Sequence, residues 1–415
     1  MAFGGPYRAI LARPGAAQFS LSGVISRFPM AMVGIGIVLM IEGLHGSYAL
    51  AGRVSAVYVL AQAVCGPQIA RLIDRHGQAR VMRPLLAVSA SGIVGLVVAS
   101  VLDAPAWALY AIAALGGATI GSMGTLVRAR WSKLVGGNPH DLHTAYSLEA
   151  SLDEVVFVVG PVLATWLATS VTPWAGLLFP VVAMLVGGYW FLSLKDSEPV
   201  PTPQTRDERQ PTVLRFGAMV SLVAVFVALG GVFGATDVAT IAFAEEHGSK
   251  GAAGAILAVF ACGSLVAGLW YGARRWVAPL WARFVATMLG LAAGVSFFPL
   301  VDSLWALAGL MFFTGLMIAP SLIGGNGLVQ LVVPQAQLTE GLTYVGTALG
   351  VGVSLGSSVA GSRIDAAGAH AGFIVAIIAA GVGALLVVAS APVLRRSSTR
   401  RSSTRRSADV EVDAG

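Results

Sequence analysis

Four ionisable side chains lie in stretches of sequence that are otherwise almost entirely apolar. Arg27 falls in the first apolar run, and Glu149, Asp153 and Glu154 fall in the fifth, at 145–170. At about 1.5 Å per helical residue, Arg27, Asp153 and Glu154 would lie about 15 Å along their helices, near the middle of a bilayer. A charge left unpaired at that depth costs several kcal/mol. We therefore expect Arg27 to form an ion pair with Asp153 or Glu154.

The spacing of the three acids determines which of them can act together. Glu149 and Asp153 are four residues apart and would share one helix face, whereas Glu154 would point about 100° away from Asp153. Acids crowded in a low-dielectric environment do not all ionise easily, so we expect at least one of them to carry a proton. Such a group can exchange a proton against a solute. The alternative for Glu149 is a structural pairing with Arg128 or Arg130.

The composition determines the class of protein to which these residues belong. The chain has 415 residues, of which 56% are hydrophobic and 11% charged, and its mean hydropathy is +0.80. Soluble domains carry about 25% charged residues, so a cytosolic enzyme, a disulfide-bonded secreted domain and a disordered chain are excluded. The histidines lack metal-ligand spacing and no phosphate-binding motif for ATP occurs, so we predict no metal and no cofactor.

Twelve apolar runs are long enough to cross a bilayer. Because a transmembrane helix needs about 20 apolar residues, we predict an all-α integral membrane protein with twelve transmembrane helices. Their approximate positions are 17–42, 49–70, 84–102, 105–127, 145–170, 172–194, 213–242, 249–273, 281–300, 303–333, 338–362 and 370–393.

The distribution of basic residues predicts the orientation. With both termini in the cytoplasm, all of the 26 Lys and Arg residues except Arg27, Arg53, Lys250 and Arg363 fall in inner segments. Inner loops are enriched in Lys and Arg, so we predict a multi-pass protein of the cytoplasmic (inner) membrane with cytoplasmic termini. The isoelectric point near 9.6 then needs no nucleic-acid partner. The arginine-rich segment 395–415 cannot form a core, and we expect a disordered basic cytoplasmic tail.

The two halves of the chain repeat a short pattern. Residues 45–66 and 247–268 share nine of 22 positions at an offset of 202, including a His-Gly-Ser triplet in each outer loop. A weaker match at an offset of 196 places Gly160 on Gly356. A parallel duplication predicts two pseudo-symmetric six-helix bundles, with a substrate site near the midplane between them. The predicted boundaries are 1–194 for the first bundle, 195–212 for a charged, Pro-rich cytoplasmic linker and 213–394 for the second bundle.

The loop after the second run carries a family signature. It reads Ala70-Arg-Leu-Ile-Asp74-Arg75-His-Gly77-Gln-Ala-Arg80. Together with the twelve runs, the two halves and the charged linker, it resembles the corresponding loop of the major facilitator superfamily. The sequence departs from the family's pattern at Ala70, where glycine is usual, and at Gln78 and Ala79, where basic residues are usual. The resemblance implies the major facilitator fold, alternating access, and a latch on the outward-facing state formed by Asp74, Arg75, Gly77 and Arg80. The alternative is that the arginines only anchor the loop in the cytoplasm.

Other polar residues within the runs are candidates for a substrate cavity. Asn326 and Gln330 lie one helical turn apart in the tenth run, where they could bind a substrate or a neighbouring helix. Arg53 and Asp237 lie near the outer ends of the second and seventh runs. Solvation at the membrane surface is the alternative explanation for these two charges.

Gly160-Pro161 in the fifth run resembles the core of the family's antiporter signature without its flanking glycines, and such a pair bends a helix. We predict a monomeric secondary active transporter, not an enzyme, that moves a small organic solute by alternating access in exchange for protons. Proton-coupled or facilitated uptake is an alternative, because the same acids would serve it. A non-transporting membrane scaffold or sensor is a second alternative.

Overall fold

The protein is an all-helical membrane protein. The computed structural model describes residues 5–201, 212–249 and 252–413, with side chains described except at 48–49 and 397–413. Within this part of the chain there is no β-strand, and twelve helical segments are long and apolar enough to cross a membrane. The prediction of twelve spans is confirmed. The chain forms two compact units, Met1–Arg209 and Gln210–Gly415, whose boundary falls inside the predicted linker.

The first unit has six spans built around its first span. A short helix, α1 (Gly5–Leu11), precedes them. The first span, α2, packs against the second, fifth and sixth spans. The spans are α2 (Ala16–His45), α3 (Tyr48–His76), α4 (Gln78–Val101), the pair α5 (Ala106–Thr119) and α6 (Met123–Val135), α7 (Pro139–Ser170) and α8 (Ala175–Ser193).

The second unit repeats this order. Its first span, α9, packs mainly against the fifth and sixth spans of the unit. The spans are α9 (Gly217–Glu246), α10 (Ala252–Ala273), α11 (Leu280–Ser296), the pair α12 (Leu304–Gly315) and α13 (Ile318–Val332), α14 (Leu338–Ala367) and α15 (Ala369–Asp413). The backbone of α15 continues to Asp413, through most of the arginine-rich segment, whose disorder stays a prediction.

The fourth span of each unit is interrupted. The break in the first unit lies at Ile120–Ser122, where Gly121 has φ +64°, and that in the second unit lies between α12 and α13. Glycine is favoured at position 121 because other residues rarely adopt this φ, and a Cβ there would also lie 2.5 Å from Cε of Met82. After the break, α6 continues to Val135, well beyond the predicted end of this span at 127.

The repeated His-Gly-Ser triplet forms the same corner in both units. The central glycine of each triplet is left-handed, with φ of 63° and 70°. The histidine before it lies against the loop between the third and fourth spans of its unit. Nδ1 of His45 is 3.5 Å from the Asp103 carboxylate, and Nε2 of His247 is 3.1 Å from the Asp302 carbonyl oxygen.

Glycines bring α9 and α14 into backbone contact. A Cβ at Gly230 would lie 2.0 Å from the carbonyl oxygen of Leu349, and one at Gly352 would lie 2.0 Å from that of Val227. Small residues allow this close approach between helices in lipid. The first and fifth spans of the second unit are therefore held by close packing.

Candidate functional site

The charges of the first and fifth spans meet in one buried network. Arg27 on α2 donates to two acids of α7: its Nη1 lies 2.6 Å from Oδ1 of Asp153, and its Nη2 bonds Oε2 of Glu149. Arg128 on α6 donates from Nη2 to Oδ2 of Asp153, also at 2.6 Å. Each carboxylate oxygen of Asp153 therefore binds a different guanidinium. We call these four residues the ion network.

Glu149 is the fully enclosed member of the ion network. Its Oε1 accepts hydrogen bonds from Ser20 Oγ and from Trp131 Nε1, both at 2.7 Å, while its Oε2 binds Arg27. The side chains of Glu149 and Trp131 are 0% exposed. The alternative pairing of Glu149 with Arg128 or Arg130 is not what the structure shows.

Two glycines make room for the guanidiniums. Nε of Arg27 donates to the carbonyl oxygen of Gly23 at 3.0 Å, and Nη1 of Arg128 donates to that of Gly124 at 3.2 Å. A Cβ at position 23 would lie 2.5 Å from Cγ2 of Val127, and one at position 124 would crowd Nη1 of Arg128 at 3.2 Å. A larger residue at position 23 would push α2 and α6 apart, and one at position 124 would displace the guanidinium of Arg128.

The ion network is electrically balanced. Two arginines face two carboxylates, so all four groups can be ionised without net charge, and each strong hydrogen bond is charge-assisted. Arg128 lies inside the bundle and supplies the second positive charge, whereas the expectation that crowding keeps one acid protonated stays a prediction. Asp153 is the more accessible acid, with 17% of its side chain exposed. Glu154 follows it on an adjacent face of α7 and is half-buried.

Sequence reasoning misses two residues of this site, Trp131 and Ser20, and includes Arg128 only as an alternative partner of Glu149. Hydropathy places Arg128 in an inner loop because it ends the fourth span at the first charge. A detectable signal was Gly121-Ser122, a turn glycine followed by a helix-starting serine, which predicts a new helix that carries Arg128 and Trp131. Ser20 had no distinguishing signal among the other small residues of α2.

The signature loop is held by the start of the linker. Gly77 separates α3 from α4 with φ +93°, and its amide donates to the carbonyl oxygen of Ile73 at 2.8 Å. Glu198 accepts a hydrogen bond from the Ala79 amide at 2.9 Å, which places a carboxylate at the N-terminus of α4. A Cβ at position 77 would lie 3.0 Å from that carboxylate. Asp74 and Arg75 are half-buried at the end of α3, and Arg80 is exposed on α4.

The departure from the family signature at Gln78 has a physical explanation. Gln78 is 2% exposed, and its Nε2 donates to the carbonyl oxygen of Leu126 at 3.2 Å. Its Oε1 accepts from Nε of Arg130 at 2.8 Å, and Arg130 also donates to Ser197 Oγ at 2.7 Å. The Arg130 guanidinium stacks on Phe191 at 3.7 Å. A basic residue at position 78 would therefore face a buried arginine.

The candidate cavity residues lie in different parts of the chain. Arg53 is exposed on α3 of the first unit, and Asp237 is exposed on α9 of the second. Asn326 and Gln330 are half-buried on α13, where Asn326 donates to the carbonyl oxygen of Leu322 in its own helix at 2.8 Å. The amide of Asn326 therefore has a partner within the helix.

Gly160 and Pro161 lie inside an uninterrupted α7. A Cβ at Gly160 would lie 2.8 Å from Cβ of Ala31, so this glycine lets α7 pack closely on α2. Gly356 packs on α9 in the same way, since a Cβ there would lie 2.3 Å from the carbonyl oxygen of Gly231. The Gly160–Gly356 match therefore corresponds to equivalent helix contacts in the two units.

Comparison with known proteins identifies the family. The family model described as Major Facilitator Superfamily matches residues 19–276, more than half of the chain. The chain belongs to the Major Facilitator Superfamily. No curated protein matches it.

Solved structures of this superfamily share the fold of this major facilitator. A bacterial homologue of the iron transporter ferroportin, in an outward-facing state, is 14% identical with a TM-score of 0.70, covering 92% of this chain and 99% of that chain. FucP, a transporter solved in the outward conformation, is 14% identical with a TM-score of 0.67, and the match covers 93% of this chain and 99% of that chain. The human organic anion transporter MFSD10 (TETRAN) is 14% identical with a TM-score of 0.66, and the match covers 90% of this chain and 98% of that chain.

Membership of the Major Facilitator Superfamily gives the general activity. The protein is a multi-pass membrane transporter that moves a small-molecule solute by secondary transport, and it is not an enzyme. The predictions of family, fold and transporter class are confirmed. Within the described residues, no group of three or more His, Cys, Asp or Glu side chains is arranged to hold a metal ion.

Proposed function

We propose that this transporter exports a small organic solute across the cytoplasmic membrane in exchange for protons, and that Asp153 carries the proton. The observation that supports the proposal is the position of Asp153 between Arg27 and Arg128, at 2.6 Å from each. It is also the acid of the ion network that retains partial exposure.

The charge balance couples the proton to a conformational change. Protonation of Asp153 would weaken two charge-assisted hydrogen bonds and leave the ion network with a net positive charge. An uncompensated buried charge is costly, so Asp153 takes up a proton only when α6 and α7 move and Arg128 separates from it. Asp153 therefore cannot be protonated and remain paired with Arg128 at the same time. A proton carrier whose protonation requires a different conformation is what antiport needs.

Glu149 has a structural part in this proposal. Three side chains donate to it and no part of it is exposed. It fixes Arg27 on the face of α7 that also carries Asp153. Arg27 then stays in place while Asp153 changes its charge.

Export, rather than uptake, is supported by the partial antiporter signature at Gly160-Pro161. The low charge content and the apolar helices favour a lipophilic solute. The location of almost all basic residues in one set of loops supports cytoplasmic termini and insertion in the cytoplasmic membrane. We also propose that the protein acts as a monomer.

A toxicity screen followed by a proton assay tests this proposal. A panel of lipophilic toxic compounds is applied to a deletion strain and an overexpressing strain, and a compound that separates them is taken to everted membrane vesicles with an acidic interior. Export by antiport predicts that the compound added outside discharges the proton gradient. Discharge only when the compound is loaded inside the vesicles would show uptake by symport. A scaffold or sensor would be supported if the screen shows no difference between the strains and if the proton gradient is unaffected by compound added outside or loaded inside the vesicles.

A further inference from the structure

A cluster of aromatic rings and arginines lies at the connection between α10 and α11. It consists of Trp270, Tyr271, Arg274, Trp276 and Arg283, and we call it the aromatic–arginine platform. The Trp276 ring contacts two guanidiniums, those of Arg274 and Arg283, each 5.3 Å from its centroid. Arg274 lies 5.1 Å from the Trp270 ring, and Arg283 lies 5.2 Å from the Tyr271 ring. All four distances are within the range of cation–π attraction.

Hydrogen bonds make this platform rigid. Nε1 of Trp276 donates to the carbonyl oxygen of Tyr271 at 2.9 Å, and Nη1 of Arg283 donates to the Tyr271 hydroxyl at 2.9 Å. The ring of Tyr271 is buried and lies 4.8 Å from that of Trp276. The Arg283 guanidinium is therefore held by a hydrogen bond and that of Arg274 by its contacts with two rings, and positioning before a ligand arrives reduces the entropic cost of binding.

The platform has donors but no acid. In the part of the chain that the structure describes, no carboxylate pairs with Arg274, Arg283 or the neighbouring Arg275. Nε of Arg283 is buried and has no hydrogen-bond partner. Arg274 and Arg275 are exposed. A planar guanidinium with unused N–H groups matches the oxygens of a phosphate.

The first unit has an acidic residue at the position where the loop between α10 and α11 has an aromatic residue. At the offset of 202 that relates the halves, Asp74 corresponds to Trp276 and Gly77 to Pro279. The second pair has the same structural position, since Gly77 precedes α4 and Pro279 precedes α11. In the second unit the arginines are therefore held by rings, and their charge remains available.

The platform lies where two candidate membrane spans end and begin. It spans the end of α10 at Ala273 and the start of α11 at Leu280. Exposed apolar side chains flank the arginines: Trp270 is 42% exposed and Val277 is fully exposed. Exposed apolar groups beside unpaired cations at the end of a span suit the boundary between head groups and acyl chains. Under the proposed orientation this boundary belongs to the inner leaflet.

We propose that the aromatic–arginine platform binds the phosphate group of an anionic phospholipid of the inner leaflet. Arg274 and Arg283 contact the phosphate oxygens, and Arg275 adds to the attraction for a net negative head group. Trp270 and Val277 contact the upper part of the acyl chains.

Native mass spectrometry of the detergent-solubilised full chain tests the site, with phosphatidylglycerol and phosphatidylcholine as probes. The wild-type protein should retain phosphatidylglycerol in preference to phosphatidylcholine. Each basic residue near an anionic head group contributes about 1 kcal/mol, which corresponds to about a fivefold change in affinity. Arg274→Gln should therefore lower the affinity for phosphatidylglycerol about fivefold or more. The matched control is Arg363→Gln, which should have no effect. Arg363 is an exposed arginine of the same unit, near the C-terminal end of α14 and outside the platform.

Two further experiments distinguish specific lipid binding at the platform from non-specific charge attraction and from binding of free phosphate. Trp276→Leu keeps every charge but removes the ring between the arginines, so it should weaken phosphatidylglycerol binding; if that variant does not fold, Arg274→Gln decides alone. Glycerol phosphate, which has the head-group chemistry without acyl chains, should compete only weakly. Equal binding of both lipids, equal losses in Arg274→Gln and Arg363→Gln, or full displacement by glycerol phosphate would each overturn the proposal.

Discussion

Two acids on one face of α7 have different environments and therefore different roles. Glu149 is enclosed and accepts hydrogen bonds from Ser20, Trp131 and Arg27. Asp153, one turn further along, is partly exposed and lies between Arg27 and Arg128. An acid held by three donors fixes structure, whereas an acid shared by two cations can change its charge when one of the cations moves.

Glu149→Gln tests the structural role of the enclosed acid. The variant keeps the shape of the side chain but removes the charge that faces Arg27. Breaking a buried ion pair costs about 3–5 kcal/mol, so we expect a clearly lower midpoint of thermal unfolding in detergent. Ser147→Ala on the same helix, where the serine bonds only the carbonyl oxygen of His143, is the control. Equal midpoints for the two variants would contradict the role assigned to Glu149.

Gln78→Arg tests the explanation for the departure from the family signature. The variant restores the residue type that is usual in the family but places a second cation beside the buried Arg130. We expect it to lower the free energy of unfolding by about 1–3 kcal/mol. Gln78→Leu, which loses the hydrogen bonds without adding a charge, should be less harmful. A variant Gln78→Arg as stable as the wild type in thermal unfolding would show that Arg130 does not determine this position.

At the scale of elements, the contact between the first and fifth spans differs between the two units. In the first unit α2 and α7 are joined by the ion network in addition to the close packing at Gly160. In the second unit α9 and α14 are joined by glycine contacts such as those of Gly230 and Gly352. A change of charge can loosen the first contact but not the second.

Two neighbouring glycines of α14 provide a matched test of this packing. A Cβ at Gly352 would lie 2.0 Å from the carbonyl oxygen of Val227, whereas a Cβ at Gly350 would have nothing within 4 Å. Gly352→Ala should therefore destabilise the protein by about 1–3 kcal/mol or more through overpacking, and Gly350→Ala should be neutral or slightly stabilising. The measurement is the unfolding midpoint of both variants in detergent. A neutral Gly352→Ala would show that α9 and α14 are not in backbone contact.

The sequence predicts the elements well where bilayer physics constrains them. Twelve runs follow from the length that a span requires, and the equal depth of Arg27 and Asp153 follows from counting residues along two helices. The break in the fourth span could not be predicted by hydropathy alone, because Gly121 is one of 51 glycines, and its φ of +64° and its contact with Met82 are visible only in the structure. Hydropathy therefore places Arg128 in a loop, and the charge balance of the ion network does not follow from it.

At the scale of the whole molecule, the two units share a helix order but not their charges. The ion network belongs to the first unit, and the aromatic–arginine platform belongs to the second. The proposal assigns proton coupling to the first unit and a contact with the lipid surface to the second. Both assignments depend on the orientation of the chain in the membrane.

Reporter fusions test that orientation. Green fluorescent protein fluoresces in the cytoplasm, whereas alkaline phosphatase is active only outside it. A fusion after Pro201, in the linker, should be fluorescent and lack phosphatase activity, and a fusion after Gly248, in the first loop of the second unit, should show the reverse. The opposite pattern would place the arginine-rich loops outside and contradict the predicted topology.

The measurement that tests the central claim most directly compares two transport modes of Asp153→Asn in proteoliposomes, with the compound identified by the screen. Counterflow exchanges labelled for unlabelled compound and needs no net proton movement, whereas accumulation driven by a pH gradient does. We predict that Asp153→Asn loses gradient-driven accumulation and retains counterflow, while Ser147→Ala retains both. Gradient-driven accumulation at the wild-type level in Asp153→Asn would contradict the claim that this carboxylate carries the proton.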